Sequence, residues 1–140
     1  MRWIGILAFS LIGLSAANAY LHEGDLSGLL RHAAKEWHAK CQVITGVSDE
    51  EIFGLRSGNF AVAENTKRYH LCIFIMANAI TPKMEFVERI FRKYIPDNTM
   101  VRNYKQCFHE SKRMQTQPEE IILGMLHCMF ARDPVKFLIL

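Results

Sequence analysis

Four cysteines and six histidines are the residues of this 140-residue chain with the widest chemical options. Cys41, Cys72, Cys107 and Cys128 could pair as two disulfides in an oxidising compartment or ligate zinc in a reducing one. Structural zinc sites usually offer close pairs such as C-x2-C, and here even the nearest two cysteines, Cys107 and Cys128, stand far apart. Two disulfides is therefore the expectation, with three connectivities open on spacing alone. His22, His32, His38, His70, His109 and His127 would make the chain more positive in mildly acidic surroundings. His70, in a largely apolar segment, and His127, beside Cys128, are the best candidates for a pH switch that loosens helix contacts.

Hydrolytic chemistry has little to work with. His109-Glu110 and Glu119-Glu120 are the local polar clusters that invite it, but adjacent residues on a helix point in different directions. The second pair falls in a first helical turn, where carboxylates complement the helix dipole. HExxH, GxSxG and P-loop patterns are absent from the sequence. An enzyme, a metal and a cofactor are accordingly not expected.

Arg2 followed by the apolar run Ile4, Ile6, Leu7, Phe9, Leu11, Ile12 and Leu14, ending at Ala17-Asn18-Ala19, reads as a secretory signal peptide over residues 1–19. A membrane anchor would need about 20 apolar residues, and this run is shorter and closes on small and polar ones. Residues 20–140 suit a single domain with one core. Loss of Arg2 takes one from 17 basic residues set against 14 acidic ones, so the remainder is only mildly basic. Without a basic cluster, nucleic-acid binding gets no support.

The elements that must position these groups are helical, for strand alternation is missing. Apolar residues Leu26, Leu29, Leu30, Ala33, Ala34, Trp37 and Cys41 recur at spacings of three and four, predicting a helix from Asp25 to about Gln42 with Gly46 as its stop. Ser48-Asp49-Glu50-Glu51 matches a capping box and opens a short helix through Ile52, Phe53 and Leu55, closed by Gly58-Asn59. After a polar patch at Glu64, Asn65 and Thr66, the run Leu71 to Ala77 is apolar on every side and predicts a central rod. Thr81-Pro82 predicts the next helix start, with inner face Phe86, Val87, Ile90, Phe91 and Tyr94. Pro96-Asp97-Asn98 breaks the chain before a helix from roughly Met100 to Met114. Pro118 opens a last helix carrying Ile121, Ile122, Met125, Cys128 and Met129, ended by Asp133-Pro134. Val135 to Leu140 is then an apolar tail that water would not leave dangling.

Six helices, a signal peptide and these cysteine positions together resemble the insect odorant-binding proteins. That family ordinarily carries six cysteines, with three residues between the second and third and eight between the fifth and sixth. Cys72 in the third place puts Arg68 in the second, within Lys67-Arg68-Tyr69-His70-Leu71-Cys72, where the family typically has cysteine then tyrosine. Cys128 in the sixth place puts Glu119 in the fifth, just after Pro118, where a proline-cysteine pair is common. The two missing cysteines are those absent from the family's four-cysteine, or Minus-C, branch. The gap from Cys72 to Cys107 is slightly short for the family, a difference that falls on the fourth helix and its following loop.

The resemblance implies an all-α bundle of about six short helices enclosing an apolar cavity, with pairs Cys41–Cys72 and Cys107–Cys128. Its third bond, between the central rod and the last helix, would be missing, which predicts extra mobility there. The implied function is a secreted carrier of small hydrophobic molecules such as odorants or pheromones, in sensillum lymph or a similar fluid, delivering to an olfactory receptor. Dimerisation is left open, and stable membrane insertion is not expected. The pool from which a lining would be drawn is Phe53, Leu55, Phe60, Phe74, Ile75, Met76, Phe86, Phe91, Met114, Leu123, Phe130 and Phe137, chosen because aromatic and methionine side chains adapt to ligand shape. By the same resemblance the tail is pocket wall or lid; packing outside the bundle is its alternative. A secreted helical signalling factor is the rival from another class, although its helices would usually be longer than these.

Overall fold

Serine oxygens begin the first two helices. In the computed structural model, which describes residues 27–140, Ser27 Oγ accepts from the Leu30 amide at 3.2 Å and starts α1, Gly28–Thr45. Gly46, at φ 70°, stops it in the left-handed conformation that glycine adopts without strain. The expected signal peptide and the helix start at Asp25 and Leu26 lie outside the described residues. Ser48 and Glu51 form the predicted capping box of α2, Asp49–Phe53, and a 3-10 turn over Gly54–Ser57 follows. Then come α3, Glu64–Met76; α4, Glu88–Tyr94; α5, Asn98–Met114; and α6, Pro118–Arg132. Asp97 caps α5 by accepting from the Thr99 and Met100 amides.

Three expectations are corrected. Glu64, Asn65 and Thr66 are the first turn of α3 rather than a patch before it. The run Leu71 to Ala77 is not buried all round: Ile73 and Ala77 are enclosed, but Leu71, Cys72, Phe74, Ile75 and Met76 are half-buried. A bundle of such short helices has too few neighbours to surround one of its members. The fourth helix does not start at Thr81-Pro82 but at Glu88. Thr81 caps a turn instead, with its Oγ accepting from the Glu85 amide, while Met84 takes φ 60° and Ile80 bridges Phe86. Backbone hydrogens that a helix would need are spent in that turn, as when the Val87 amide donates to the Ala79 oxygen at 2.9 Å.

Both disulfides form as the resemblance implied: Cys41–Cys72 joins α1 to α3 and Cys107–Cys128 joins α5 to α6. On a chain-entropy estimate each is worth about 3 to 4 kcal/mol. Gly124 lets α6 approach α5 closely, for a Cβ there would overlap Ser111 Oγ, which donates to the Ile121 oxygen at 2.8 Å. Between α3 and α6, where the family's third bond would sit, Lys67 Nζ lies 2.6 Å from Glu120 and 2.9 Å from Glu64. Those carboxylates hold the Lys67 ammonium above the usual lysine range, Glu120 most of all.

Candidate functional site

The residues after Pro134 fold inward. Phe137, Leu138 and Ile139 are buried. Phe137 meets the Phe130 ring edge-on at 5.3 Å. Arg56 Nη2 donates to the Ile139 oxygen at 3.1 Å, and the Tyr69 hydroxyl donates to the Leu140 backbone oxygen at 2.7 Å. His38 Nδ1 lies 2.7 Å from that hydroxyl, and its Nε2 lies 3.1 Å from Asp49 Oδ1. Because the Leu140 and Asp49 oxygens only accept, all three contacts are hydrogen bonds at once when both His38 nitrogens carry hydrogen. Burial, and then the Asp49 charge, push the Tyr69 phenol well above its usual range, so it stays a donor.

With the tail docked, its last residues close an apolar cavity. Leu30 and Trp37 of α1, Ile73 and Phe74 of α3, Ala77 at its C-terminal end, Ala79, Ile90, Phe91 and Tyr94 of α4 and its approach, Ile95, Tyr104 of α5, and Leu138 and Leu140 line it. Its volume is about 50 Å³, and the unfilled space among its lining atoms, open solvent included, is about 430 Å³. Among the described residues, no lining side chain is charged. The wall is a chain of rings: Phe86 stacks on Phe91 at 4.1 Å, Phe91 meets Tyr104 at 5.2 Å, and Trp37 meets Tyr94 edge-on at 5.2 Å. Burial raises the Tyr104 phenol, which keeps that side chain neutral.

Of the lining pool read from sequence, Phe74 and Phe91 face this cavity and Phe86 backs it through Phe91. Phe60, Phe130 and Phe137 form a separate aromatic cluster, with Phe60 stacked on His127 at 4.5 Å. Phe53 packs on His38 and Arg56, and Leu55 is fully buried. Ile75, Met76 and Leu123 are half-buried core neighbours. Met114 is 81% exposed at the end of α5, where the chain turns toward α6, and lines nothing enclosed. Leu30, Trp37, Tyr94 and Tyr104 belong to the wall without having been singled out for it, while Leu138 and Leu140 come from the tail that the resemblance made wall or lid. The burial of the first four was legible from helical spacing, but nothing in a stripe distinguishes wall from solid core.

His70 is corrected as a pH switch: it is 3% exposed, and burial pushes its imidazole down to about 3, so it takes up no proton near pH 6. His109 and Glu110 are exposed on α5, and Glu110 pairs with Arg132, while Glu120 is engaged by Lys67. Among the described residues, no acid/base pair converges on the cavity. Among the described residues no group of three or more His, Cys, Asp or Glu side chains is arranged to hold a metal ion. A wider trough of about 390 Å³ runs beside the Cys107–Cys128 bond, but it is open to water and carries Glu110, Gln115 and His127. It is a poorer shelter for an apolar molecule than the smaller cavity, whose lining side chains carry no charge.

Fold and cavity together define a small disulfide-stapled helical binding protein. A family model described as the PBP/GOBP family matches residues 27–132, and the chain belongs to that family, the insect odorant- and pheromone-binding proteins. Its four cysteines in two disulfides fit the Minus-C form. Members of the family are binding proteins rather than enzymes. No curated protein and no solved structure matches the chain.

Proposed function

We propose that this chain is a secreted carrier that takes up a small hydrophobic molecule between α1, α3, α4 and α5, with the tail as one wall. Residues 1–19 are its cleaved signal peptide and residues 20–140 its working domain. The observation that carries this reading is a ring-lined cavity without a charged side chain, walled in part by Leu138 and Leu140. Two disulfides suit an oxidising fluid such as sensillum lymph. No helix among the described residues is long and apolar enough to cross a membrane. Delivery to an olfactory receptor follows from the family's role.

Ligand pockets for drug-sized molecules are about 300–1,000 Å³. The cavity volume is below that, so loading requires the wall to give, and the tail is the part of it that no helix or disulfide holds. Residues Phe53, Leu55, Phe60, Phe130 and Phe137 would then line the space opened behind it. Native mass spectrometry after incubation with a C10–C16 alcohol series tests the reading. A one-to-one complex is expected, and failure of every chain length to bind would end it.

A further inference from the structure

We propose that the trough between α5 and α6 is a second ligand site, one that takes small organic amines in their protonated form and holds them by Glu110. The inference stands apart from the carrier reading, because trough and cavity share no lining residue. Small side chains leave the space. Gly124 has none, Ala131 has only a methyl, and Ser111 spends its hydroxyl on the Ile121 oxygen at 2.8 Å, so the groove over the Cys107–Cys128 bond stays unfilled. Its volume of about 390 Å³ falls within the range of small-molecule sites.

One wall carries a charge with a spare oxygen. Glu110 Oε1 accepts from Arg132 Nη2 at 3.2 Å, which fixes the carboxylate. Arg132 is itself tied to Gln106 at 2.6 Å and to Asn103 at 3.3 Å, one and two turns back along α5, and does not line the trough. Glu110 Oε2 lies 3.7 Å from Cys128 Sγ, a disulfide sulfur with no hydrogen to give, so among the described residues that oxygen has no donor. An ammonium supplies the donor and the matching charge together. Gln115, also on the lining, carries an amide oxygen for a second ammonium hydrogen. The rest of the lining receives carbon. Met114, 81% exposed, is an apolar side chain that adapts to the shape laid against it. His127 has Phe60 stacked on it at 4.5 Å, a support that steadies its ring as a flat face. Because the Glu110 side chain is 48% exposed, a cation bound there keeps much of its water. In the cavity, whose lining side chains carry no charge, the same cation would be stranded. The two sites therefore divide ligands by charge.

The test is NMR titration of the 15N-labelled protein with 2-phenylethylamine, 2-phenylethanol and 3-phenylpropionate, which are alike in size and differ in charge. The amine should bind more tightly than the alcohol by about fivefold, the upper end for a half-exposed ion pair, and the acid should bind least. Amide shifts should centre on Glu110, Gly124 and His127. Glu110→Gln should bring the amine within about twofold of the alcohol. Arg132→Gln should keep or raise affinity for the amine by freeing the other carboxylate oxygen, and Ala131→Trp, which fills the trough, should remove its binding. Equal wild-type affinities for amine and alcohol would overturn the proposal. So would a preference that survives Glu110→Gln or Ala131→Trp, or shifts centred on Phe74 and Tyr104 of the cavity. Uptake of an apolar probe plays no part in this readout, so its failure would defeat the carrier reading alone.

Discussion

Tyr69 and Leu140, 71 residues apart in sequence, are joined by a 2.7 Å hydrogen bond from the phenol to the backbone oxygen. Docking the tail buries three apolar side chains, each worth roughly 1.5–3 kcal/mol. Ordering its backbone costs about 1–2 kcal/mol per residue. The two terms nearly cancel over six residues, so the bonds from Tyr69 and Arg56 decide whether the tail stays down. Tyr69→Phe should cost about 1 kcal/mol of stability and speed amide exchange at Phe137 to Leu140. Unchanged exchange there would show that apolar burial alone holds the tail.

Deleting Val135 to Leu140 removes Leu138 and Leu140 from the cavity wall. Affinity for an apolar fluorescent probe should fall by about tenfold or more, while far-UV circular dichroism retains the helical signal, because no helix extends past Arg132. Unaltered probe affinity would take the tail out of the site.

His70 imposes a sign on the pH dependence of stability. Its imidazole titrates near 6.5 when exposed and at about 3 when folded, so between those values the unfolded chain binds a proton that the folded chain refuses. Stability is then full above about pH 6.5 and drops by up to about 1.4 kcal/mol per pH unit on acidification. His70→Leu should flatten the slope between pH 6.5 and 5, where few carboxylates titrate. Parallel curves for the two proteins in urea melts would refute the assignment.

Gly124 sets the spacing of α5 and α6. Alanine there gains about 1 kcal/mol of helix propensity. It also meets Ser111 Oγ inside van der Waals contact, and moving that oxygen sacrifices its bond to Ile121. Overpacking costs about 1–3 kcal/mol, so the clash should win and Gly124→Ala should lower the Tm. Ser111→Ala in the same chain should restore much of the loss, and a raised Tm in the single variant would show that the helices simply part.

Capping residues made much of the fold readable: the Ser48-Glu51 box and Pro118 sit where their chemistry requires. Thr81-Pro82 misled because a capping threonine serves a tight turn as well as a helix, and only the long-range pairing of Ile80 with Phe86 separates the two. The cavity was harder to read. Phe74 and Phe91 are legible by residue type, whereas Trp37 and Tyr104 become wall only through the way helices distant in sequence converge. The bridging role of His38 is not legible in the sequence because its partners, Tyr69 and Asp49, lie 31 and 11 positions away. Nothing local marks such a bridge.

Lys67, seated between Glu64 and Glu120, fastens the third helix to the sixth by charge where six-cysteine relatives would use sulfur. A covalent staple holds its length whatever fluid surrounds it. A clasp of opposite charges weakens as electrolyte is added and regains its grip on dilution, with no reductant or oxidant involved. The ionic composition of the fluid thereby becomes a setting of how tightly this pair of helices is held.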